Sequence, residues 1–315
     1  MLMKSAAQWL SPAGPSARLS VLIFHRVLPL QDPLFPDEMH ARRFDELCGW
    51  LKQWFNLLPL DAAVRHLKAG SLPARSACIT FDDGYADNHH VAMPILRSHG
   101  LTAAFFIATG FLDGGRMWND TIIESVRACQ SPEFDLSSLG LGRHALASIN
   151  ERRAAIGTLV NQVKYRPIQE RITLTEQMAR LVNTPPPDNL MMTSQEIKAM
   201  RLAGMQIGAH TITHPILAGL TDSEARDEIQ GSKRFLEQLL EERVGLFAYP
   251  NGKPAEDYTP RSVDVVRNLD FDAAVCTAWG TTGGGGDLFQ IRRFTPWDRS
   301  QFRFGLRLLN NMRSA

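Results

Sequence analysis

The sequence has no excess of charge, no long apolar run and no surplus of glycine or proline, and each lack excludes a class of protein. Its 34 Lys and Arg nearly balance 33 Asp and Glu, for a formal net charge of +1, so nothing indicates a broad basic surface for nucleic acid. No apolar run approaches the roughly 18–20 residues of a membrane-spanning helix. Gly and Pro number 23 and 18, which excludes a low-complexity chain. The length of 315 residues fits one globular domain, with or without an insertion, and two domains are the alternative. A chain this long can bury a large core.

Cysteine is scarce, and its four copies are scattered without a CxxC pair. We interpret them as reduced, mostly buried thiols rather than zinc ligands or disulfide partners. Residues 1–18 contain no apolar stretch and do not resemble a secretory signal. We therefore expect a cytoplasmic location. Peripheral contact with a membrane is the alternative, because residues 299–312 mix apolar and basic side chains. The cysteines are Cys48, Cys78, Cys129 and Cys276.

Strand and helix signals alternate along most of the chain, which predicts an α/β fold with parallel strands and crossover helices. Capping boxes begin two of the helices, at Thr193 and Thr221. The predicted strands are residues 19–25, 77–82, 102–108, 205–209, 246–249, 272–277 and 289–293.

The alternation stops between about residues 116 and 190. Apolar residues recur there at helical spacing, no strand is convincing, and the Pro-rich segment Thr184–Asp188 closes the stretch. We interpret it as a helical insertion. The predicted organisation is thus an N-terminal tail (1–18), a main domain (19–298) that contains the insertion, and a C-terminal helix or tail (299–315).

Adjacent carboxylates end the second predicted strand, in the segment TFDDG that contains Asp82 and Asp83. Neighbouring acids repel each other, and burial of either one is costly unless a cation or hydrogen bonds compensate it. The alternative is that one of them only caps the next helix.

Histidines lie at two further strand ends. His210 and His214 are four residues apart, a spacing that would place both on one side of a helical turn and let them share a metal ion. His25 ends the first predicted strand. Taken singly, each of these is as consistent with a structural histidine. Together, one Asp and two His make a three-ligand site with an open position, and the adjacent Asp could act as a base. The carboxyl ends of barrel strands are where active sites are built.

The segments TFDDG, HTITHP and FAYPNG, in this order, resemble the polysaccharide deacetylases of the NodB-homology type, carbohydrate esterase family four. The resemblance covers residues 19–115 and 190–294. It implies a distorted (β/α) barrel, usually of seven strands, and a carbohydrate substrate rather than a nucleic acid. It implies Asp82 as the catalytic base, and Asp83, His210 and His214 as ligands of a divalent metal ion, with Zn²⁺ first among the candidates. It indicates nothing about oligomeric state.

The sequence departs from the family pattern in the third and last motifs. Ala248 occupies the position of an Arg that braces the base, and Asn251 replaces a Tyr. The usual catalytic His of the last motif is missing from residues 287–294. The branch that deacetylates biofilm poly-N-acetylglucosamine carries a His on its first strand, and His25 matches it. The resemblance therefore implies His25 as the general acid, and Arg292 or Arg293 as a replacement brace, unless that Arg forms a surface ion pair.

The predicted activity is metal-dependent removal of N-acetyl groups from a polysaccharide, of exopolysaccharide type, or from its sugar-linked precursor. The enzyme would be a hydrolase of carbon–nitrogen bonds other than peptide bonds. The backbone N–H of Asn251 is a candidate oxyanion donor, and Tyr249 and Trp279 are weaker candidates for contact with substrate. Trp118 and Asp120 would border the pocket. One alternative is an amidase or deformylase of a small or lipid-linked amino sugar, and another is a non-catalytic carbohydrate-binding relic.

Overall fold

The computed structural model describes residues 2–182 and 185–314. Thr184, which we expected to close the insertion, and the end residues of the two predicted tails, Met1 and Ala315, lie outside the described residues. The helices are α1 (Leu2–Leu10), α2 (Ala41–Trp54), α3 (Leu60–Lys68), α4 (Met93–Ser98), α5 (Trp118–Ala128), α6 (Ile149–Val163), α7 (Ile168–Arg180), α8 (Ser194–Leu202), α9 (Asp222–Leu240), α10 (Pro260–Asn268) and α11 (Gln301–Arg313). The strands are β1 (Arg18–Phe24), β2 (Asn56–Leu57), β3 (Ser76–Phe81), β4 (Ala104–Ile107), β5 (Glu133–Leu136), β6 (Gly142–Ala145), β7 (Gln206–Ala209), β8 (Leu246–Ala248), β9 (Ala273–Val275) and β10 (Thr282–Gly283).

The main sheet is curled and mostly parallel. Its strands follow the order β10-β1-β3-β4-β7-β8-β9, β2 also pairs with β3, and β10 alone runs antiparallel, beside β1. Residues 291–294 lie between β9 and β1: Ile291 bridges to Val275, and Phe294 bridges to Leu22. The predicted seventh strand is thus a short bridging segment. The fold is the expected distorted (β/α) barrel, closed by this segment.

Side chains alternate between two cores, as the pleat of a strand requires. Val21 of β1, Phe106 of β4 and Val275 of β9 belong to one buried cluster that fills the barrel interior, and α3 packs against its end. Phe24 and Phe81 belong to the other cluster, between the sheet and its helices. Both cores are apolar, so the polar residues that follow the strands stand out as a separate layer at the carboxyl edge.

The insertion has its own small core and is not purely helical. Its helices α5, α6 and α7 pack with a hairpin of β5 and β6, which pair antiparallel from Glu133 opposite Ala145. The expectation that it contains no strand was wrong. In β5 only Phe134 and Leu136 are buried, and two alternating positions are too few for a period-two signal to stand out.

Both termini are helical and lie together. In α1 Ala7 is fully buried, and a side chain at Gly305 of α11 would clash with Met3. Residues 2–10 of the predicted N-terminal tail thus form a helix that packs on the rest of the chain. Among the described residues, no helix is both long and apolar enough to cross a membrane.

The four cysteines are buried and unpaired, in agreement with the expectation of reduced thiols. Burial raises the pKa of Cys48 and Cys78 well above the ordinary thiol value. Because the thiolate is the reactive form, these side chains act as small core residues.

Two glycines, one in a barrel strand and one on a helix of the insertion, differ in the space around them. A Cβ on Gly208 of β7 would lie 2.6 Å from the Phe106 ring and 3.0 Å from the carbonyl oxygen of Leu246, whereas one on Gly157 of α6 would meet no atom within 4 Å. We expect Gly208→Ala to lower the free energy of unfolding by about 1–3 kcal/mol through overpacking. Gly157→Ala, the matched control, should raise it by about 0.5–1 kcal/mol. Urea unfolding of both variants measures this, and equal midpoints would contradict it.

Candidate active site

The two acids after β3 point in different directions because the backbone turns between them. The N–H of Asp82 donates to the carbonyl of Phe24 at 2.9 Å, which continues the β1–β3 ladder. Asp83 then has a φ of 78° and Gly84 a φ of 91°. A non-glycine residue in the left-handed region is strained, and such strain persists where the surrounding structure holds it, often at functional sites.

Asp82 forms a buried two-pronged ion pair with Arg293. Both distances, from Nη1 to Oδ1 and from Nη2 to Oδ2, are 2.7 Å, and the Arg293 side chain is fully buried. Arg293 Nε also donates to the Cys276 carbonyl at 3.0 Å. Burial acts to raise the pKa of Asp82, but Arg293 and then His210 outweigh it, so this pKa lies below its ordinary value. Asp82 is therefore an ionised, rigidly oriented carboxylate near neutral pH.

Asp83 faces both histidines. Its Oδ1 lies 3.4 Å from the Nε2 atoms of His210 and of His214, is buried and accepts no hydrogen bond from the described residues. The Nδ1 of His210 lies 2.7 Å from the Ala248 carbonyl. A carbonyl only accepts, so this contact places the proton on Nδ1 and leaves Nε2 as a lone-pair donor.

The three side chains fit a divalent metal ion. Their ligand atoms all lie within 4.8 Å of one another. One carboxylate and two imidazole nitrogens form a common donor set of catalytic zinc and of other first-row metals. Burial lowers the pKa of His214 to about 4, so His214 is neutral, as a ligand must be. A cation at this position would explain why a buried carboxylate oxygen lies between two imidazoles without a hydrogen-bond donor.

The histidine pair does not lie on a helical turn, so that expectation was wrong. β7 ends at Ala209, and Thr211 and His214 have φ values of 66° and 53°. Glu228 of α9 shapes the loop by accepting the N–H groups of Ile212 and Thr213, each at 2.9 Å. The sequence analysis missed Glu228, because α9 carries several other acidic residues and nothing marks this one.

A pocket of about 270 Å³ opens above these side chains. The barrel supplies one wall and the insertion supplies the opposite one. His25 lies at its rim, directly after β1, and its carbonyl oxygen accepts from Asn88 Nδ2 at 2.9 Å. The lining residues from the barrel are His25, Asp82, Asp83, His210, His214, Ile216, Asn251 and Thr277, and those from the insertion are Met117, Trp118, Asn119, Val160, Lys164 and Arg171.

Tyr249 and Trp279 do not line this pocket, so we correct their assignment as substrate contacts. Tyr249 is buried, its hydroxyl donates to the Phe289 carbonyl at 3.0 Å, and its ring stacks on Tyr258. Its backbone N–H donates to Val275, so no polar donor remains. Trp279 packs against Phe294. Tyr249 is thus a core residue, whereas Trp279 is partly exposed outside this pocket.

Unlike Tyr249 and Trp279, Asn251 lines the pocket. It adopts a φ of 55°, and its N–H donates to no acceptor within residues 2–182 and 185–314. Of the two arginines considered as braces, Arg293 reaches Asp82, whereas Arg292 lines a separate cleft beside residues 281–286.

The insertion brings further polar residues to the site. Trp118 lines the pocket as expected, and Asp120 borders an adjoining cavity that also contains His25 and Asp83. Asp120 accepts from the Tyr85 hydroxyl at 3.2 Å, and burial raises its pKa to about 7. The sequence analysis missed Lys164 and Arg171, since a basic residue within a helical insertion carries no sequence signal for its contacts.

The family model for polysaccharide deacetylases matches residues 69–274. The chain belongs to this family. YxkH of Bacillus subtilis strain 168, whose name carries a provisional assignment as a polysaccharide deacetylase, is 19% identical over 287 residues, covering 90% of this chain and 73% of its own.

Solved structures show the same fold at low sequence identity. The Streptococcus pyogenes deacetylase PplD, in complex with acetate, matches with a TM-score of 0.62 and 18% identity, covering 94% of this chain and 98% of its own. IcaB from Ammonifex degensii matches with a TM-score of 0.61 and 17% identity, covering 96% and 99%. The BpsB deacetylase domain from Bordetella bronchiseptica matches with a TM-score of 0.55 and 15% identity, covering 88% and 95%.

Removing Arg293 should destabilise the fold, because it leaves the buried Asp82 carboxylate without a counter-charge. We expect Arg293→Gln to lower the free energy of unfolding by about 3–5 kcal/mol. The neighbour Arg292 forms no ion pair among the described residues, and Arg292→Gln should change stability by no more than about 0.5–1 kcal/mol. Thermal and urea unfolding of both variants at pH 7 compares them. A similar loss in both would show that the ion pair with Asp82 is not the cause.

Proposed function

We propose that this protein is a metal-dependent hydrolase that removes N-acetyl groups from a polysaccharide or from its sugar-linked precursor. The observation that carries the proposal is the orphaned Oδ1 of Asp83 between two imidazole nitrogens, beside an ionised Asp82 held by Arg293. Membership of the polysaccharide deacetylase family supports the substrate class, and the names of PplD and BpsB as deacetylases support the reaction.

Asp83, His210 and His214 would hold the ion, for which Zn²⁺ is our first candidate. A divalent ion there supplies Lewis-acid polarisation of the amide carbonyl and lowers the pKa of water from about 15.7 towards about 7.

Asp82 takes the proton of the attacking water. Its two oxygens accept from Arg293, but each retains a lone pair, so the guanidinium orients the base without blocking it. This arrangement makes Asp82 a weaker base, because Arg293 holds the pKa of Asp82 low. A weaker base suffices for a more acidic water, so Asp82 would remain an adequate acceptor with a metal ion bound.

His25 and Asn251 complete the reaction at the pocket wall. The free N–H of Asn251 can donate to the oxyanion of the tetrahedral intermediate. His25, protonated, gives its proton to the departing nitrogen, which would otherwise leave as an unstable anion. The products are acetate and a free amine on the sugar.

A second candidate function is hydrolysis of an amide on a small or lipid-linked amino sugar. The insertion favours it, because Trp118 and its neighbours give the pocket a wall opposite the barrel. A non-catalytic relic is disfavoured, since a buried carboxylate oxygen without a hydrogen-bond donor, placed between two imidazoles, is costly to the fold and has no structural use.

The first test is acetate release from N-acetylglucosamine oligomers by the purified chain, with metal content measured on the same sample. We expect release that stops on chelation, returns with Zn²⁺, and disappears in Asp82→Asn while the metal stays bound. A second group, His89, His90 and Glu196, could also take up metal, so His90→Ala is the control and should keep full activity. A protein that binds no metal at His210 and His214 would overturn the proposal.

His25→Ala tests the general acid separately. We expect turnover to fall by about 10²–10⁴, with metal content unchanged, because His25 is not among the three ligands. The matched control His66→Ala, on α3, should behave as the unmodified protein. Loss of metal in His25→Ala would assign His25 as a ligand and remove its role as acid.

A further inference from the structure

Two basic side chains of the insertion line the active-site pocket without an acidic partner. Arg171 of α7 and Lys164, just after α6, both lie in its lining. Neither forms an ion pair with any carboxylate in residues 2–182 and 185–314. We propose that they bind an anionic group, a phosphate or a carboxylate, on the N-acylated amino sugar that the enzyme takes. The inference rests on the proposed function for its reaction and adds the charge of the substrate.

Arg171 is buried yet poorly satisfied. Its exposed fraction is 6%. Nη1 donates to the Lys164 carbonyl at 3.1 Å, and the guanidinium lies 5.2 Å from the Trp118 ring centre. Nε is buried without an acceptor, and Nη2 donates to none of the described residues. A guanidinium has five N–H donors in a fixed fork, so the edge formed by Nε and Nη2 is left for a ligand.

The other arginines of the insertion are better satisfied. Each of them either pairs with a carboxylate or donates to at least two oxygens. They are Arg116, Arg127, Arg143, Arg152, Arg153, Arg166 and Arg180. Arg171 thus differs from its neighbours in the same segment, and it is the one that lines the pocket.

Neither acidic residue of the pocket lining pairs with these cations, because both are engaged elsewhere. Among its lining residues only Asp82 and Asp83 are acidic. Arg293 neutralises Asp82, and Asp83 faces the two histidines. Burial lowers the pKa of Arg171, and no carboxylate opposes that shift. A buried charge is costly unless it is paired, and an anion in the pocket would supply the missing charge.

A neutral N-acetylglucosamine chain would leave both cations unused. A glycosyl phosphate would place charge beside the acyl group, and so would a sugar that carries a carboxylate. Arg binds either group through two parallel hydrogen bonds, and Lys adds a point charge. The position of Arg171 and Lys164 on the insertion makes this segment the determinant of substrate charge.

Calorimetric binding to the full chain tests the proposal without relying on turnover. The probes are N-acetylglucosamine 1-phosphate, N-acetylmuramic acid and the neutral methyl glycoside of N-acetylglucosamine. We expect at least one anionic probe to bind tenfold or more tightly than the neutral one. Arg171→Gln and Lys164→Gln should each weaken that binding by about 10- to 100-fold and leave the neutral probe unchanged. The phosphate and carboxylate probes separate the two sources of charge.

The matched control is Arg180→Gln, the same charge change on an exposed residue of α7, which should bind all three probes as the unmodified protein does. Arg171→Gln could disturb the insertion because the residue is buried, so the half-buried Lys164 keeps the test decisive if that variant melts early. Titrations with and without added Zn²⁺ separate binding by these cations from binding by the metal.

Equal affinity for charged and neutral probes would overturn the inference, and so would an anion preference that survives both substitutions. Acetate release measured on the same samples keeps the two proposals apart. Release without anion preference leaves the deacetylase and removes the inference. Anion binding that depends on Lys164 and Arg171, without release from any probe or from the N-acetylglucosamine oligomers, leaves the binding site and removes the N-deacetylase.

Discussion

Arg293 carries a full positive charge into the barrel wall, where water cannot reach it, and the Asp82 carboxylate is the counter-charge that it meets there. Taking two ions out of water is costly, and the cost is offset only when their geometry is good and their other donors are satisfied. Both conditions hold: the contact is two-pronged, and Nε of Arg293 donates to the Cys276 carbonyl. The segment that closes the barrel between β9 and β1 is therefore also the segment that fixes the base.

Two neighbouring carboxylates acquire different roles from this constraint. Arg293 compensates Asp82, so Asp82 can stay ionised although it is buried. Asp83, turned away by its left-handed backbone, meets imidazoles instead of a guanidinium. Its orphaned oxygen calls for a cation that the chain does not supply. Separate partners thus let one strand end carry both proposed roles, a metal ligand at Asp83 and a base at Asp82.

The insertion completes the site from outside the barrel. It packs around its own core, so it can present a wall to the pocket without altering the barrel strands. That wall brings Trp118, Lys164 and Arg171 over the carboxylates and histidines. The barrel thus positions the proposed catalytic groups, and the insertion lines the space above them.

Much of this protein is readable in its sequence. The alternation of strand and helix signals predicted an α/β fold with parallel strands, and the family resemblance implied the barrel. The capping boxes at Thr193 and Thr221 begin α8 and α9. The pairing of TFDDG with HTITHP indicated the family and the cluster of Asp83 with two histidines. These features are local, since strand periodicity, helix capping and short motifs depend on residues close together in the chain.

Other features depend on residues far apart in the chain, and the tertiary structure alone decided them. Arg292 and Arg293 are equivalent candidates in the sequence, and only the path of the bridging segment sends Arg293 to Asp82. Glu228 is one acid among several until α9 packs beside the loop after β7. Arg171 can be singled out only in the folded structure, because only there is it seen to be buried, and a buried charge needs a partner.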